Sequence, residues 1–243
     1  MWRICNQQTI DAPKILDEIE GNVYAVLKPL GFRKFGRTLH RFVSGDLSQV
    51  VNFQIWGDRF CVNLGIRVPE CDERLNPPSN KKYYHEYSCT LRSRLGQVSG
   101  KHETWFDLRK KTEKTSKKII KELLDIVIPS YEVLNNRDAV LQKSREYPNY
   151  WFTCELLDKC MIYMNMGDIE KAKECFEKQY KETEDWYNDW TINGHKQYLK
   201  KGERVVYMNQ DITAKKSGYV TLYGASHAHI DYLNELGAKL GFR

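Results

Sequence analysis

The segment HAHID sets His227, His229 and Asp231 at alternate positions, a spacing that echoes a metal-binding His-x-His-x-Asp pattern. A metal is not expected there. The segment opens the final helix, where side chains two apart do not share a face. Seven cysteines (Cys5, Cys61, Cys71, Cys89, Cys154, Cys160, Cys175) are odd in number and contain no Cys-x-x-Cys pair. Zinc is therefore disfavoured, and the thiols read as reduced core residues of a cytosolic protein. Nucleophilic chemistry fares no better. No Gly-x-Ser-x-Gly elbow occurs, no cysteine is flanked by recognisable partners, and His40 and His102 are unplaced. The carboxylate pairs Asp72-Glu73 and Glu184-Asp185 read as solvated. No cofactor and no catalytic set is expected; an enzyme whose site no motif announces is the second alternative.

Binding chemistry is better represented. In RKFGRTLHR, the residues Arg33, Lys34, Arg37 and Arg41 could contact phosphates, although no glycine-rich cradle opens a helix there. A solvated basic turn explains the same residues. In RKKTEKTSKKIIK, a stripe of Lys110, Lys114, Lys117 and Lys121 could track nucleic-acid phosphates or form a water-facing helix side. A third group lies on strands. Asn52, Gln54, Asn63 and Arg67 share one sheet face, with Trp56 and Arg41 at its rim. Amides beside a Trp and arginines suit a protein-binding surface. A water-facing or helix-covered sheet is the other reading. The leading expectation is a non-catalytic module for a protein partner, through this face or a helical hairpin; a nucleic-acid binder is the alternative.

The elements that must position these groups follow from periodicity. Residues 14–28 carry Ile15, Ile19, Val23, Val26 and Leu27 at helical spacing, and Pro29 with Gly31 stops that helix. Strands are predicted at 38–43, 48–55 and 59–68. The turns Ser44-Gly45-Asp46 and Trp56-Gly57-Asp58 make them an antiparallel meander, with helix 14–28 over its Val51/Phe53/Val62/Leu64 face. TLRSRLGQV is read as a fourth strand or an extended segment, with Trp105 and Phe106 as anchors after it. A helix spans 108–127. Farther on, Tyr150, Cys154, Leu157, Met161 and Met164, then Ile169, Ala172, Phe176, Tyr180 and Thr183, predict two helices broken at Gly167-Asp168. A helix over 189–200, strands within VVYM and YVTLY, and a closing helix at 226–240 complete the reading. The fold class is α+β: an antiparallel β-meander covered by helices, with a mostly helical C-terminal extension. The expected domains are 1–130 and 131–243.

Composition sets the bounds. Aromatic content of 12% and hydrophobic content of 41% predict a folded chain. No apolar run nears the ~18 residues of a membrane helix. The N-terminal stretch turns polar too early for a signal peptide, so a cytoplasmic location is expected. Charge is uneven: residues 1–130 hold 22 Lys/Arg against 15 Asp/Glu, whereas 131–243 hold 16 against 17. The positive surplus favours an acidic or phosphate-bearing partner, or only solubility.

The run LKPLGFRKFGRTLHRF, followed in order by VVNFQIW, FCVNLGI, LRSRLGQV and WFDL, resembles the family of domain of unknown function 4304 over residues 14–128. The resemblance implies a shared fold and assigns no catalytic residue. GDIEKAKECF, within 148–183, resembles the second helix of a tetratricopeptide-type pair; a single copy of such a repeat cannot bury a continuous core. A bacterial immunity or defence setting is one role compatible with this reading.

Overall fold

The computed structural model describes residues 10–43, 46–75, 84–101, 104–146, 154–208 and 210–243. Cys5, Ser44, Gly45, His102 and Tyr150 lie outside the described residues. Two compact units divide the chain, Met1–Asp158 and Lys159–Arg243.

The first unit opens with α1 (Ala12–Leu27), capped by the Asp11 carboxylate on the Lys14 N–H. Its inward face is Leu16, Ile19, Val23 and Leu27, so Leu16 rather than Ile15 fills the first turn. A 3-10 turn over Lys28–Leu30 then ends at Gly31, whose φ of 89° is the left-handed cap conformation that glycine adopts without strain. Phe32, 1% exposed, folds back on that end.

A sheet follows: β1 (Arg33–Phe35), β2 (Thr38–Phe42), β3 (Ser48–Trp56), β4 (Arg59–Arg67), β5 (Leu91–Arg94) and β6 (Trp105–Asp107). Strands β1 to β5 are joined in chain order, and β6 pairs with the far end of β4; every pairing is antiparallel. The basic run at 33–41 is therefore a hairpin, not only a turn. Leu39, Val51, Leu64 and Phe53, Val62 fall in register on one face. Lys34, on that face, reaches Glu20 of α1 at 3.1 Å, which sets α1 over it as expected. Short helices α2 (Pro69–Asp72) and α3 (Leu95–Val98) flank β5.

Helix α4 (Thr112–Glu122) starts four residues later than the periodicity suggested. It packs beside α1 and continues through a wide turn, Leu123–Val127, into α5 (Ile128–Val133) and α6 (Arg137–Glu146). Fully buried Tyr131 explains why the unit extends past residue 130. Its hydroxyl donates to the Val50 carbonyl at 2.6 Å and accepts the Gly65 N–H at 3.3 Å, tying α5 to the middle of the sheet.

Helix α7 (Leu156–Met166) ends at Gly167, and Asp168 caps α8 (Ile169–Ile192). In the second unit, α8 is followed by β7 (His195–Leu199), β8 (Arg204–Tyr207), β9 (Gln210–Thr213), β10 (Gly218–Leu222) and α9 (Ala228–Leu240). The helix expected over 189–200 is corrected: Gly194, at φ 71°, ends α8, and 195–199 pairs as a strand with β10. Helix α9 packs on α8, where a Cβ at Gly237 would meet Phe176 at 2.8 Å. Among the described residues no helix is long and apolar enough to cross a membrane.

Candidate functional site

The sequence-predicted groups separate into three environments. At the β1–β2 hairpin, Arg37 contacts Glu20 at 2.9 Å and Asp17 at 3.2 Å, while Lys34 takes the other Glu20 oxygen. Glu20 is 2% exposed, and burial is what raises its carboxyl above the ordinary range, against the pull of Lys34 and Arg37. Arg41 lies on the face opposite to Asn52, Gln54 and Asn63, because it is in register with Gln49. There it donates to Gln49 and to Glu132, at 2.5 Å each. Of this run, Arg33 is exposed and forms no ion pair among the described residues.

On the other face, Asn63 donates to Gln54 at 3.1 Å and to Asn52 at 3.3 Å, so the predicted amide cluster is assembled. Arg67 does not join it as a surface group. At 2% exposure it binds Asp72 at 2.6 Å and lies over the Tyr84 ring at 3.6 Å. A hollow of about 280 Å³ opens beside the amides, lined by Gln54, Asn63, Glu86 and Arg94. Arg94 stands over the Trp105 ring at 5.3 Å, and Trp105 meets Trp56 edge-on at 5.9 Å. Trp56 is 77% exposed.

Past Trp105 the surface drops into a larger cleft, about 600 Å³, between β6, α3 and the start of α4. Trp105 and Phe106 form its aromatic wall. Its cations are Lys101, Arg109, Lys110, Lys111, Lys114 and Lys118. Lys101 is paired with Glu122, and Arg109 with Asp107 at 2.9 Å. That pairing, through the guanidinium hydrogen bond, holds the Asp107 carboxyl down at about 2. Lys110, Lys111, Lys114 and Lys118 form no ion pair among the described residues; Lys118 lies 5.4 Å from the Phe106 ring. Lys117 and Lys121 point elsewhere, to Glu113 at 2.7 Å and to Asp125. The predicted stripe is thus split, and Lys111 and Lys118 join it in place of Lys117 and Lys121.

The cleft breaks a local rule. Cations are disfavoured at a helix N-terminus, where backbone N–H groups already present partial positive charge. Lys111 is the N-cap of α4 and gives no side-chain cap, and the one acidic residue of the first turn, Glu113, is held by Lys117. Folding alone would not choose this arrangement. It concentrates positive potential beside half-buried Trp105 and Phe106, which can hold an anion with a flat or apolar part.

The cysteine-lined hollow and the histidines near the C-terminus offer no comparable chemistry. One of about 360 Å³ includes Cys71, Cys89, Arg74 and Asp158, with Arg74 and Asp158 paired. Burial pushes the Cys61, Cys71 and Cys89 thiols up, the opposite of nucleophile activation. Cys89 also sits where a side chain at Gly65 would be, 2.5 Å from that Cβ position. In the second unit, His227 Nδ1 meets Asp231 at 2.7 Å, while His229 stacks on Trp186. Those histidines do not converge on a common point.

The cleft was hidden in the sequence because its walls come from residues 96–122 in three separate elements. WF at 105–106 beside RKK at 109–111 was its one local signal. No curated protein and no solved structure matches the chain. Residues 23–132, which contain the sheet, the amide cluster and the cleft, match the family model described as Domain of unknown function (DUF4304).

Proposed function

We propose that this protein is a non-catalytic binding module whose contact surface is the strip running from Gln54 and Asn63, over Arg94, Trp105 and Trp56, into the lysine cleft. Its partner is anionic. The observation that carries the reading is the set of Lys110, Lys111, Lys114 and Lys118, which form no ion pair among the described residues and lie beside the Trp105–Phe106 wall. Uncompensated like charges cost stability unless a ligand uses them. The buried Cys61, Cys71 and Cys89 thiols support a reducing compartment such as the cytoplasm. A protein partner with an acidic surface is the second reading, favoured by the 77% exposure of Trp56, a residue type enriched among interface anchors. The helical pair α7–α8, with its likeness to a tetratricopeptide unit, supplies no argument for either.

The test is retention on heparin, a generic polyanion. Lys110→Ala/Lys111→Ala/Lys114→Ala should elute at clearly lower salt than the parent, because phosphate- or sulfate-type contacts release counterions. Lys117→Ala/Lys121→Ala, which removes equally exposed but paired lysines, should elute close to the parent. Equal shifts for the two sets would show a diffuse charge effect and remove the cleft as the site.

A further inference from the structure

We infer that the strip takes single-stranded nucleic acid, with unpaired bases on Trp56 and Trp105 and phosphates along the lysine cleft. This rests on the anion-binding reading above and narrows it to one ligand class. Lys111, Lys114 and Lys118 follow one another at spacings of three and four on one side of α4. Their charges are therefore strung over about 10 Å of helix axis. A row suits successive phosphates; one bound phosphate would need convergence. The cations are lysines, which contact phosphate as point charges and do not read bases through a planar fork.

The aromatic groups exclude other polyanions. Trp56 is 77% exposed at the β3–β4 turn and meets Trp105 edge-on, so its ring is open to solvent. Such rings stack bases of any sequence. A duplex keeps its bases stacked inward and cannot use them. An acidic polypeptide satisfies the lysines but brings no flat ring to Trp56. Beside the rings, Gln54 is exposed; its oxygen accepts from buried Asn63, which turns the Gln54 amide N–H groups toward the strip as donors for base edges.

The experiment uses the full chain and a fluorescein-labelled oligothymidylate of about 15 nucleotides, near the length one such surface covers. Anisotropy titrations over a salt series should give a log–log slope of roughly −2 to −3, as expected for three or four phosphates neutralised on a single strand. Lys111→Ala/Lys114→Ala should flatten that slope by about 1.4. Trp56→Ala should weaken binding about 5- to 100-fold while leaving the slope in place. Far-UV circular dichroism and thermal melts confirm that each variant is folded. Unlabelled oligothymidylate should displace the probe, and polyglutamate at equal charge should not. The inference is overturned if polyglutamate competes as well as the oligonucleotide, if Trp56→Ala binds like the parent, or if the oligonucleotide does not bind. When heparin retention still depends on Lys110, Lys111 and Lys114, those outcomes leave an anion site for an acidic polypeptide. When that dependence is lost too, the binding strip itself is refuted.

Discussion

Two basic runs in one domain have opposite fates. In the run at 33–41, all the cations but Arg33 are met by carboxylates from distant sequence: Glu20 and Asp17 meet Lys34 and Arg37, and Glu132 meets Arg41. The run at 109–118 keeps Lys110, Lys111, Lys114 and Lys118 without ion pairs among the described residues, around a cleft of about 600 Å³. Composition cannot separate them, since both are short, basic and next to an aromatic. The difference lies in what the fold brings alongside. In the first run the cations serve the fold, because Glu20 would otherwise be a buried lone charge. In the second they oppose it, crowding the positive end of α4.

The largest expected effect breaks the first half of this comparison. Lys34→Ala/Arg37→Ala leaves Glu20 at 2% exposure with neither of its cations. The loss should be about 2–3 kcal/mol, below the full range for a broken buried pair because Lys34 and Arg37 are themselves about a third exposed. Urea denaturation of the parent and the variant measures it. A loss under ~0.5 kcal/mol would place the hairpin cations with the solvated surface charges and erase the contrast.

A smaller, pH-dependent effect sharpens the same point. Burial raises the Glu20 carboxyl above its ordinary 4.5, so the folded protein holds that proton more tightly than the unfolded chain does. Its contribution to stability is therefore greatest at low pH. It declines as pH rises from about 4.5 through the raised folded value, because the native state binds more protons across that window. Glu20→Gln cannot titrate, so it should gain on the parent over the same window. Stability curves at successive pH values check this. A difference that stays constant with pH would mean that the carboxyl is not shifted in the native state.

Much of the sheet was legible because period-two alternation at 48–55 and 59–68 and the turn at Gly57 are local signals. The stop at Pro29–Gly31 was equally plain. Three features were not. Strand β1 is three residues long, with all three exposed, so no alternation marks it. The nine residues of β3 show apolar and amide faces clearly, but the burial of Asn63 and Arg67 depends on the 84–90 segment and Asp72, which only the fold brings over them. The lysine stripe was misphased for a geometric reason. Lys110 precedes α4, so helical spacing counted from it selected Lys117 and Lys121, whereas spacing counted from the cap Lys111 gives Lys114 and Lys118. Alternation placed Asn52, Gln54 and Asn63 on one face, but Arg41, expected at its rim, is on the other face, and Arg67 is buried against Asp72; the cleft required three elements to meet.

The smallest effect has the opposite sign to the first and concerns that cap. Lys111 occupies the N-cap of α4 with φ −54° and ψ 119°, and its carbonyl already accepts the Thr115 N–H at 3.0 Å. The backbone is therefore placed for capping, yet a lysine side chain has no acceptor to offer the free N–H groups of the first turn. In Lys111→Asp, a carboxylate at this position can accept the N–H of Glu113 or Lys114 and also lies at the favourable end of the helix dipole. Stability should rise by about 1 kcal/mol, read as a higher urea midpoint with unchanged slope. Heparin retention should fall in the same variant, because one of the cleft's cations has become an anion. Gain in stability with loss of binding is the signature of a residue kept for a ligand at the expense of the fold. If Lys111→Asp lowers stability instead, the lysine is supporting α4 in place, and the contrast between the two basic runs fails at its clearest residue.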